Sequence, residues 1–365
     1  MRTDCLILGG GLIGCAVALR LRQRGLSVVV VDRGPPGGEA SGAAAGILAP
    51  RAEAESTGPF FDLALRSLSL HPGFALELRD LTGLDVAYRS DGTLLLAFDE
   101  TEEEALATRH TWLRKAGHAS EWLPASHVRA LEPALAPCRA GVRLPDDHQV
   151  DAQLLVRAVI TAAAQAGVGF RTADARRLLS DGTRVSGADL DGEIFRALEV
   201  VVAGGSWSSL IDGVGLPPRA VQPVRGQMLE LETRPPPFRH VVFADGGYAV
   251  PRLDGRVLVG STVERVGWKK EVTSDGLRCL TGRASRICPA LGEARVLRSW
   301  AGFRPATSDG LPYLGPSPLA GLSLATGHYR NGVLLAPVTA DLLSATVTGA
   351  PPLVELAPFS PQRQG

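Results

Sequence analysis

Near the start of the chain, the six residues GGGLIG have the glycine spacing of a loop that binds a dinucleotide. Gly9 suits a tight turn, Gly11 lets the backbone approach a pyrophosphate, and Gly14 lets a helix pack closely on a strand. The N-terminus of that helix adds free N–H donors for the phosphates. Asp32 follows at the end of the next strand, where an acidic side chain accepts hydrogen bonds from a ribose. The pattern predicts dinucleotide binding, and the alternative is a glycine-rich turn with a purely structural role.

Two further segments indicate which dinucleotide binds. The loop after Asp32 contains SGAAAGILAP, whose small side chains leave space for an extended ligand. In this loop, Ser41 is placed to bond a phosphate, and residues 46–48 are placed to pass near a flat ring. The loop GHYRNGVLLAP opens a helix near the C-terminus, so backbone N–H groups of residues 332–334 can face the N1 and C2 carbonyl edge of a flavin. A nicotinamide site needs neither segment, so the sequence favours FAD.

These motifs need a strand–helix–strand unit to position them. Residues 5–8 and 26–31 are apolar runs of strand length, and residues 12–24 place apolar side chains on one helical face. Gly25 closes this helix. Later, the run ALEVVVAGGSWSSL repeats a valine strand followed by paired glycines, and we predict a helix that starts at Ser206. The first half of the chain is therefore expected to form a nucleotide-binding layer.

The remaining segments alternate between helical and strand periodicity. Helical periodicity is clear in residues 60–81, 101–117 and 150–167. Residues 86–88 and 93–98 are predicted to be strands on either side of the turn SDG. Between residues 217 and 300, longer alternating strands predict an antiparallel sheet.

The two kinds of segment predict an α/β protein with interleaved domains. We expect a Rossmann-like FAD-binding domain and a second α+β substrate domain built on a mixed or antiparallel sheet. The FAD-binding domain is assigned residues 1–85, 145–216 and 300–365. The substrate-binding domain is assigned residues 86–144 and 217–299.

Composition excludes several classes of function. Among 365 residues, 38 Lys and Arg balance 38 Asp and Glu, which leaves no basic face for nucleic acid or anionic lipid. The apolar runs are too short for a membrane span, and the N-terminus enters a strand without a signal peptide. Five cysteines show no metal-ligand spacing. We therefore predict a cytoplasmic protein without a metal.

The chain resembles the D-amino-acid oxidase family of flavoproteins, and specifically its glycine oxidase branch. The matching motifs follow the family's order and cover nearly the whole chain: GGGLIG, VVVVDRG, SGAAAGILAP, VVAGGSWS, YAVPR, RVLVGST, WAGFRPATSDGLPYLG and GHYRNGVLLAP. SGAAAGILAP and GHYRNGVLLAP together are the most specific pair. The resemblance implies an FAD domain, a substrate domain with a mixed sheet, and oxidation of the C–N bond of a small amino acid.

The resemblance also implies which side chains hold the substrate. A tyrosine before VPR and the arginine of AGxRP hold the carboxylate, with the arginine of GHxRNG close by; here these are Tyr248, Arg304 and Arg330. A planar guanidinium grips a carboxylate through two parallel hydrogen bonds, which fixes its position and rotation. We identify no side-chain general base, and none is needed if the amine arrives deprotonated. The alternatives are an interdomain ion pair for Arg304, a solvated Arg330 and a packing role for Tyr248.

The chain departs from the family pattern beside this tyrosine and after the GxT motif. Gly246 and Gly247 replace bulkier residues, and Val263 replaces a methionine-like one. We expect a roomier pocket than in a strict glycine oxidase. Glycine, sarcosine, D-alanine and D-proline therefore all stay candidate substrates.

Carried over to matching positions, the resemblance implies a set of FAD-contacting residues. The set is Gly9, Gly11, Leu12, Ile13, Gly14, Asp32, Arg33, Ser41, Ala45, Gly46, Ile47, Leu48, Ala175, Gly204, Trp207, Arg330, Asn331, Gly332, Val333 and Leu334. No cysteine follows Cys288, so we expect non-covalent FAD. His328 is expected to be a hydrogen-bonded structural histidine.

The implied reaction is oxidative deamination by hydride transfer to flavin N5. It gives an imine or glyoxylate, ammonia and hydrogen peroxide, with molecular oxygen as the acceptor. The resemblance further suggests that the glycine imine feeds the thiazole half of thiamine, with hand-off to a thiazole synthase, and leaves a homo-oligomer open. One alternative is a D-amino-acid or proline-type dehydrogenase that passes electrons to a quinone or partner protein. The other is a non-catalytic flavin-binding protein.

Overall fold

The computed structural model describes residues 2–363. Its strands are β1 (Arg2–Leu8), β2 (Val28–Asp32), β3 (Ile47–Leu48), β4 (Thr93–Ala97), β5 (Glu121–Pro124), β6 (Ala140–Leu144), β7 (His148–Gln149), β8 (Gly169–Thr172), β9 (Ala175–Ser180), β10 (Val185–Leu190), β11 (Glu193–Val202), β12 (Gln222–Glu232), β13 (Val241–Ala244), β14 (Gly247–Pro251), β15 (Arg256–Gly260), β16 (Arg295–Ala306), β17 (Tyr313–Pro316) and β18 (Leu322–Thr326). Its helices are α1 (Leu12–Gln23), α2 (Ala40–Ala43), α3 (Pro50–Glu53), α4 (Pro59–Thr82), α5 (Glu100–Lys115), α6 (Ala125–Leu131), α7 (Ala152–Gln165), α8 (Ser274–Ile287) and α9 (Gly332–Val347), with 3-10 turns at Gly205–Leu210, Pro289–Gly292 and Ala357–Phe359.

The first sheet is mainly parallel. β18, β11, β1, β2 and β8 lie side by side in parallel, and β17 pairs antiparallel with β18 at the edge. β10 pairs antiparallel with β11, and β9 pairs antiparallel with β10. Buried residues such as Ile7 and Val30 pack one face of the sheet against α1, α4, α7 and α9. Leu6 and Val31 point to the other face, where they pack against residues of β9, β10 and β11. The α/β prediction with a Rossmann-like layer is confirmed.

The second sheet is mixed, with the order β16, β12, β15, β14, β13, β4, β6, β5. β13 and β4 are parallel, and the other neighbours are antiparallel. Leu280, Ala284 and Ile287 of α8 pack one face of this sheet in a continuous apolar core. No helix between residues 2 and 363 is long and apolar enough to cross a membrane.

The strands of the second sheet can be compared with the predicted division into domains. β4, β5 and β6 lie within residues 86–144, and β12 to β15 lie within residues 217–299. β16 pairs with β12 along Arg295–Ala306 and therefore crosses residue 300, where we placed a boundary. The division into two domains stays a prediction, and we propose that the substrate-binding segment extends to residue 306.

One local prediction was wrong, and a second was correct only in part. Residues 86–88 form no strand, because Ala87 has a φ of +52° and its N–H donates to Asp85 Oδ1 at 2.8 Å, which makes a turn. Val86 is apolar because it is buried under the helical layer. The helix predicted to start at Ser206 is present as a short 3-10 helix, Gly205–Leu210, and not as an α-helix.

Helix α8 was missed in a region where only strands were expected. Its segment, SDGLRCLTGRASRI, contains two glycines, which weaken the helical signal. Leu280, Ala284 and Ile287 nevertheless recur at helical spacing and are buried. Thr273 caps the helix, since its hydroxyl accepts from the Gly276 N–H at 3.1 Å.

A glycine in α8 gives a direct test of this packing. Gly282 has ordinary backbone angles and no other atom within 4 Å of the position of a Cβ. Because alanine is favoured over glycine in helix interiors, Gly282→Ala should raise the free energy of unfolding by about 0.5–1 kcal/mol in urea titrations. Gly276→Ala on the same helix should lose stability, because its Cβ would overlap the Gln227 side chain. A loss for Gly282→Ala would contradict the packing described for α8.

Candidate active site

A cavity of about 1140 Å³ lies between the carboxyl ends of the parallel strands and the second sheet. Gly9 and Asp32 line one end, and Tyr248, Arg304 and Arg330 line the other. This volume exceeds the roughly 300–1,000 Å³ of pockets for drug-sized ligands. The cavity therefore has room for an elongated ligand together with a small second molecule.

The glycine loop, residues 9–14, depends on two close approaches of backbone. Gly9 has a φ of +119°, and a Cβ there would overlap the carbonyl group of Ala203 at the end of β11. A Cβ on Gly14 would overlap the carbonyl oxygen of Gly9, so Gly14 lets α1 pack against the loop. These two glycines keep the N-terminus of α1 at the cavity wall.

Two polar side chains are fixed beside the glycine loop. Asp32 accepts hydrogen bonds from the N–H groups of Gly10 at 2.7 Å and Gly34 at 2.9 Å. Ser41 Oγ accepts from the Leu12 N–H at 2.9 Å and so caps the first turn of α1. The Ser41 hydroxyl hydrogen is left to donate to a phosphate, and the Asp32 carboxylate keeps lone pairs for hydroxyl groups.

The small-residue loop, SGAAAGILAP at residues 41–50, is held by contacts with β16 on one side and with an arginine on the other. Trp300 Nε1 donates to the Ala43 carbonyl at 3.1 Å, and a Cβ on Gly302 would lie 2.6 Å from Ala43 Cβ. Buried Arg252 donates to the Ala45 carbonyl, and burial lowers its pKa to about 10, so it stays charged at neutral pH. Sequence reasoning missed Arg252, although it ends the motif YAVPR.

Aromatic rings form the wall next to Asp32. The Arg33 guanidinium lies 3.8 Å from the centroid of the Trp207 ring, and Trp268 stacks on Trp207 at 4.9 Å. Phe303 contacts both indoles, at 6.1 Å and 5.6 Å between centroids. The predicted residues Arg33 and Trp207 therefore meet through a cation–π contact in this wall.

Tyr248 lies on β14 with its ring above β15. A Cβ on Gly260 would overlap this ring, so glycine is needed there. The Tyr248 hydroxyl lies 3.4 Å from Met228 Sδ, which is a weak acceptor. Its O–H is therefore available to a stronger acceptor such as a carboxylate.

Arg304 lies on β16, and its guanidinium covers Gly226. Nη1 donates to the carbonyls of Thr262 at 3.1 Å and Arg225 at 3.4 Å, and Nη2 donates to Ser261 Oγ. Among residues 2–363, no protein acceptor takes the Nε–H or the second hydrogen of Nη2, and no carboxylate pairs with this side chain. The nitrogens Nε and Nη2 share one edge of the guanidinium, and such an edge can bind a carboxylate through two parallel bonds. The alternative of an interdomain ion pair is not observed for Arg304 within residues 2–363.

Arg330 follows Tyr329, whose φ is +48°, and it faces an acidic residue that we did not predict. Its Nε lies 3.4 Å from Glu53 Oε2, and the Arg330 side chain is 45% exposed. Burial raises the pKa of the Glu53 carboxyl, and Arg330, Arg304 and Arg109 oppose that rise. The signal that we missed is an acidic residue at the end of APRAE, directly after the small-residue loop.

The two glycines before Tyr248 border the cavity, and Gly247 also has a packing role that the sequence did not indicate. A Cβ on Gly247 would overlap the Gly260 carbonyl and the Arg283 guanidinium. Arg283 donates to the carbonyls of Asp245 at 3.0 Å and Gly260 at 3.3 Å. Gly247 therefore makes room for Arg283. Gly246, Gly247 and the half-exposed Val263 all border the cavity, and the expectation of a roomier substrate pocket stays a prediction.

Four of the predicted FAD-contacting residues lie behind the cavity wall: Gly14, Leu48, Asn331 and Leu334. Leu48 and Leu334 are buried in the core under the first sheet. The Leu334 carbonyl accepts from Ser67 Oγ at 2.6 Å and is bonded to His71 Nε2 at 3.0 Å. The other predicted site residues line the cavity, and their contacts with a cofactor stay predictions.

His328 lines the cavity, but its side-chain hydrogen bond is made with a residue of the core. Its Nε2 is 3.0 Å from Thr339 Oγ1 on α9, and burial lowers the pKa of the imidazole to about 3. The ring is therefore neutral at the pH of the cell. This is the structural histidine that we expected.

The lowered pKa of His328 predicts how the stability of the folded protein depends on pH. Below pH 6.5 the unfolded chain binds a proton at this residue and the folded chain does not, so stability is lost as pH falls toward 3. The loss is about 1.4 kcal/mol per pH unit for this one group. We expect His328→Gln to reduce the slope of unfolding free energy against pH, by about half that amount at pH 6.5 and by nearly all of it at pH 5, in urea titrations. An unchanged slope would mean that the folded imidazole accepts the proton.

The residues of the cavity fit FAD. The first-turn N–H groups of α1, the Ser41 hydroxyl and the Asp32 carboxylate suit phosphates and a ribose. Ser206 Oγ is buried at the same wall and has no partner among the described residues, as expected of a group that bonds a ligand. None of the five cysteines lines the cavity.

A parallel sheet with a glycine loop at its carboxyl edge, next to a mixed sheet that places an arginine in the same cavity, is typical of a dinucleotide-dependent oxidoreductase. The model of the FAD dependent oxidoreductase family matches residues 4–346. The chain belongs to this family. It is an enzyme whose cofactor is FAD, as the sequence predicted.

Individual relatives agree with this assignment. The chain is 37% identical to the glycine oxidase of Geobacillus kaustophilus (strain HTA426), over 98% of this chain and 96% of that protein. It is 38% identical to the bifunctional protein ThiO/ThiG of Synechocystis, over 99% of this chain and 54% of that protein. The crystal structure of glycine oxidase from Geobacillus kaustophilus superposes with a TM-score of 0.96 at 37% identity, and covers 100% of this chain and 99% of that one. The predicted resemblance to glycine oxidases is confirmed.

Proposed function

We propose that the protein oxidises the C–N bond of glycine and other small amines, such as sarcosine and small D-amino acids. The observation that carries this proposal is the free edge of the Arg304 guanidinium, which lies with Tyr248 in the same cavity as the glycine loop. The similarity to proteins named glycine oxidase supports the choice of substrate class.

The residues at this end of the cavity orient the substrate. Arg304 binds the carboxylate through Nε–H and Nη2–H, and the Tyr248 hydroxyl adds a third hydrogen bond. When bound, FAD supplies a two-electron acceptor for the Cα–H bond. Positioning supplies most of the rate enhancement that the protein needs, because reacting atoms about 3–3.5 Å apart react as in a unimolecular step.

Further parts of the proposal concern the acceptor and the cellular role. We propose non-covalent FAD, molecular oxygen as the final acceptor and a cytoplasmic location. The similarity to a protein named bifunctional ThiO/ThiG, of which this chain spans 54%, supports hand-off of the imine to a thiazole synthase. A homo-oligomer is compatible with this role and is a separate question for solution measurements.

Aerobic turnover tests this proposal. Purified holoprotein is incubated with glycine, sarcosine, D-alanine and D-proline, and oxygen uptake, hydrogen peroxide and ammonia are measured. We expect one peroxide and one ammonia per glyoxylate formed from glycine. Reduction of an artificial dye without peroxide would indicate a dehydrogenase, and no turnover with any amine would indicate a flavin-binding protein without amine chemistry.

A further inference from the structure

Glu53 presents an unsatisfied carboxylate oxygen in the substrate end of the cavity. Its Oε2 is buried and accepts no hydrogen bond from residues 2–363, while the side chain is 15% exposed and lines the same cavity as Arg304 and Tyr248. The nearest cation is Arg330, whose Nε lies 3.4 Å away without an aligned hydrogen bond. A buried acceptor left unbonded is costly, so its retention indicates a donor that arrives with a ligand.

The backbone on both sides of Glu53 is tied down. Asp147 accepts hydrogen bonds from the N–H groups of Arg51 at 3.4 Å and Ala52 at 3.0 Å, at the start of α3. On the other side, Arg109 Nη1 donates to the Ala54 carbonyl at 2.5 Å. The backbone that carries the carboxylate is therefore held in place before any ligand binds, which lowers the entropy lost on binding.

The charges around Glu53 complement an α-amino acid. Arg330, Arg304 and Arg109 act on its carboxylate electrostatically, and Arg304 keeps two donors free for an acid group. A ligand with a carboxylate and an amino group on one carbon satisfies both ends at once. A simple carboxylate would satisfy Arg304 and leave Glu53 without a donor.

We propose that Glu53 accepts a hydrogen bond from the amino group of the substrate and thereby selects amino acids over simple carboxylates. This inference rests on the proposed function. Arg304 holds one end of the substrate and Glu53 holds the other, so rotation about the Cα–carboxylate bond is fixed. The direction of the Cα–H bond is fixed with it, which is the alignment that oxidation requires.

Glycine and acetate provide the test, because they differ only in the amino group. The Kd of glycine is obtained from the concentration dependence of anaerobic flavin reduction, and the Kd of acetate from the change that it causes in the flavin spectrum. We expect Glu53→Gln to raise the Kd of glycine by at least about 10-fold, as for loss of a charge-assisted hydrogen bond. The Kd of acetate should stay the same or fall, since a negative charge near Arg304 has been removed.

Glu293→Gln is the matched control. Glu293 is exposed and does not line the cavity, so both dissociation constants should equal those of the wild type. If Glu53→Gln raises both constants equally, Glu53 only holds Arg330 in place, and the inference is wrong. Unchanged constants in Glu53→Gln would also overturn it.

If the Glu53→Gln protein does not retain FAD, Glu53→Asp provides a second test of the inference. This variant keeps the charge and moves it back by one methylene, so the ratio of the acetate Kd to the glycine Kd should fall below the wild-type ratio. An unchanged ratio would refute the inference. A different result would refute the proposed function, namely that none of the amines reduces the flavin of the wild-type protein.

Discussion

Replacing Arg304 by alanine is expected to weaken substrate binding by about 100-fold while FAD stays bound. Two charge-assisted hydrogen bonds are lost, and each contributes about 1.5–3 kcal/mol, so a loss of about 3 kcal/mol is a conservative expectation. FAD should stay, because Arg304 makes its own contacts with Ser261, Thr262 and Arg225 and not with the glycine loop. The measurement is kcat/KM for glycine together with the flavin absorbance of the purified variant.

Two variants show whether the geometry of Arg304 or its charge matters. Arg304→Lys keeps the charge without the two parallel donors, so it should recover only part of the lost kcat/KM. Tyr248→Phe removes one neutral hydrogen bond and should lower kcat/KM by about 2- to 10-fold. If Arg304→Ala behaves like the wild type, the carboxylate binds elsewhere and the proposed site is wrong.

Replacing Gly9 by alanine is expected to abolish FAD binding. Gly9 has a φ of +119°, which L-residues rarely adopt, and an added Cβ would overlap the Ala203 carbonyl. The overlap is with backbone, so no side-chain rotation relieves it, and the turn between β1 and α1 must move away from the cavity. The ratio of flavin to protein absorbance after purification measures the effect, which we expect to be a loss of more than about 90% of bound flavin.

A second glycine serves as the control for this substitution. Gly73 lies in α4 with no atom within 4 Å of the position of a Cβ, so Gly73→Ala should keep its full complement of flavin. Gly9→Ala protein that is yellow and folded would show that the turn tolerates a side chain. That result would mean that the close approach of Gly9 and Ala203 is not needed for FAD binding.

Local patterns were enough to predict the first sheet and its ligand. The strand at β1, the helix α1 and the strand at β2 each have an uninterrupted periodicity, and the glycine loop joins them at the spacing that a dinucleotide needs. The predicted substrate residues Tyr248, Arg304 and Arg330 lie on three separate elements of the chain. Only the resemblance to a family grouped them, and the structure brings them to one cavity.

Long-range contacts explain what the sequence did not reveal. Glu53 is significant because Arg330, far along the chain, lies beside it. Gly247 is small because Arg283 of α8 passes over it, and α8 itself was not predicted. Ala87 forms a turn through its bond with Asp85, although the neighbouring Val86 suggested a strand. Each of these cases concerns a residue whose environment is set by segments distant in sequence or by one side-chain bond.

The most direct test of amine oxidation is the flavin absorbance of the holoprotein without oxygen. Glycine, sarcosine, D-alanine, D-proline and L-proline are added separately, and acetate serves as a ligand without an amino group. We predict that glycine or another small amine of this set bleaches the flavin band, that acetate shifts the band without bleaching it, and that air restores the colour. A flavin that stays oxidised with every amine would contradict the central claim that this cavity oxidises small amino acids.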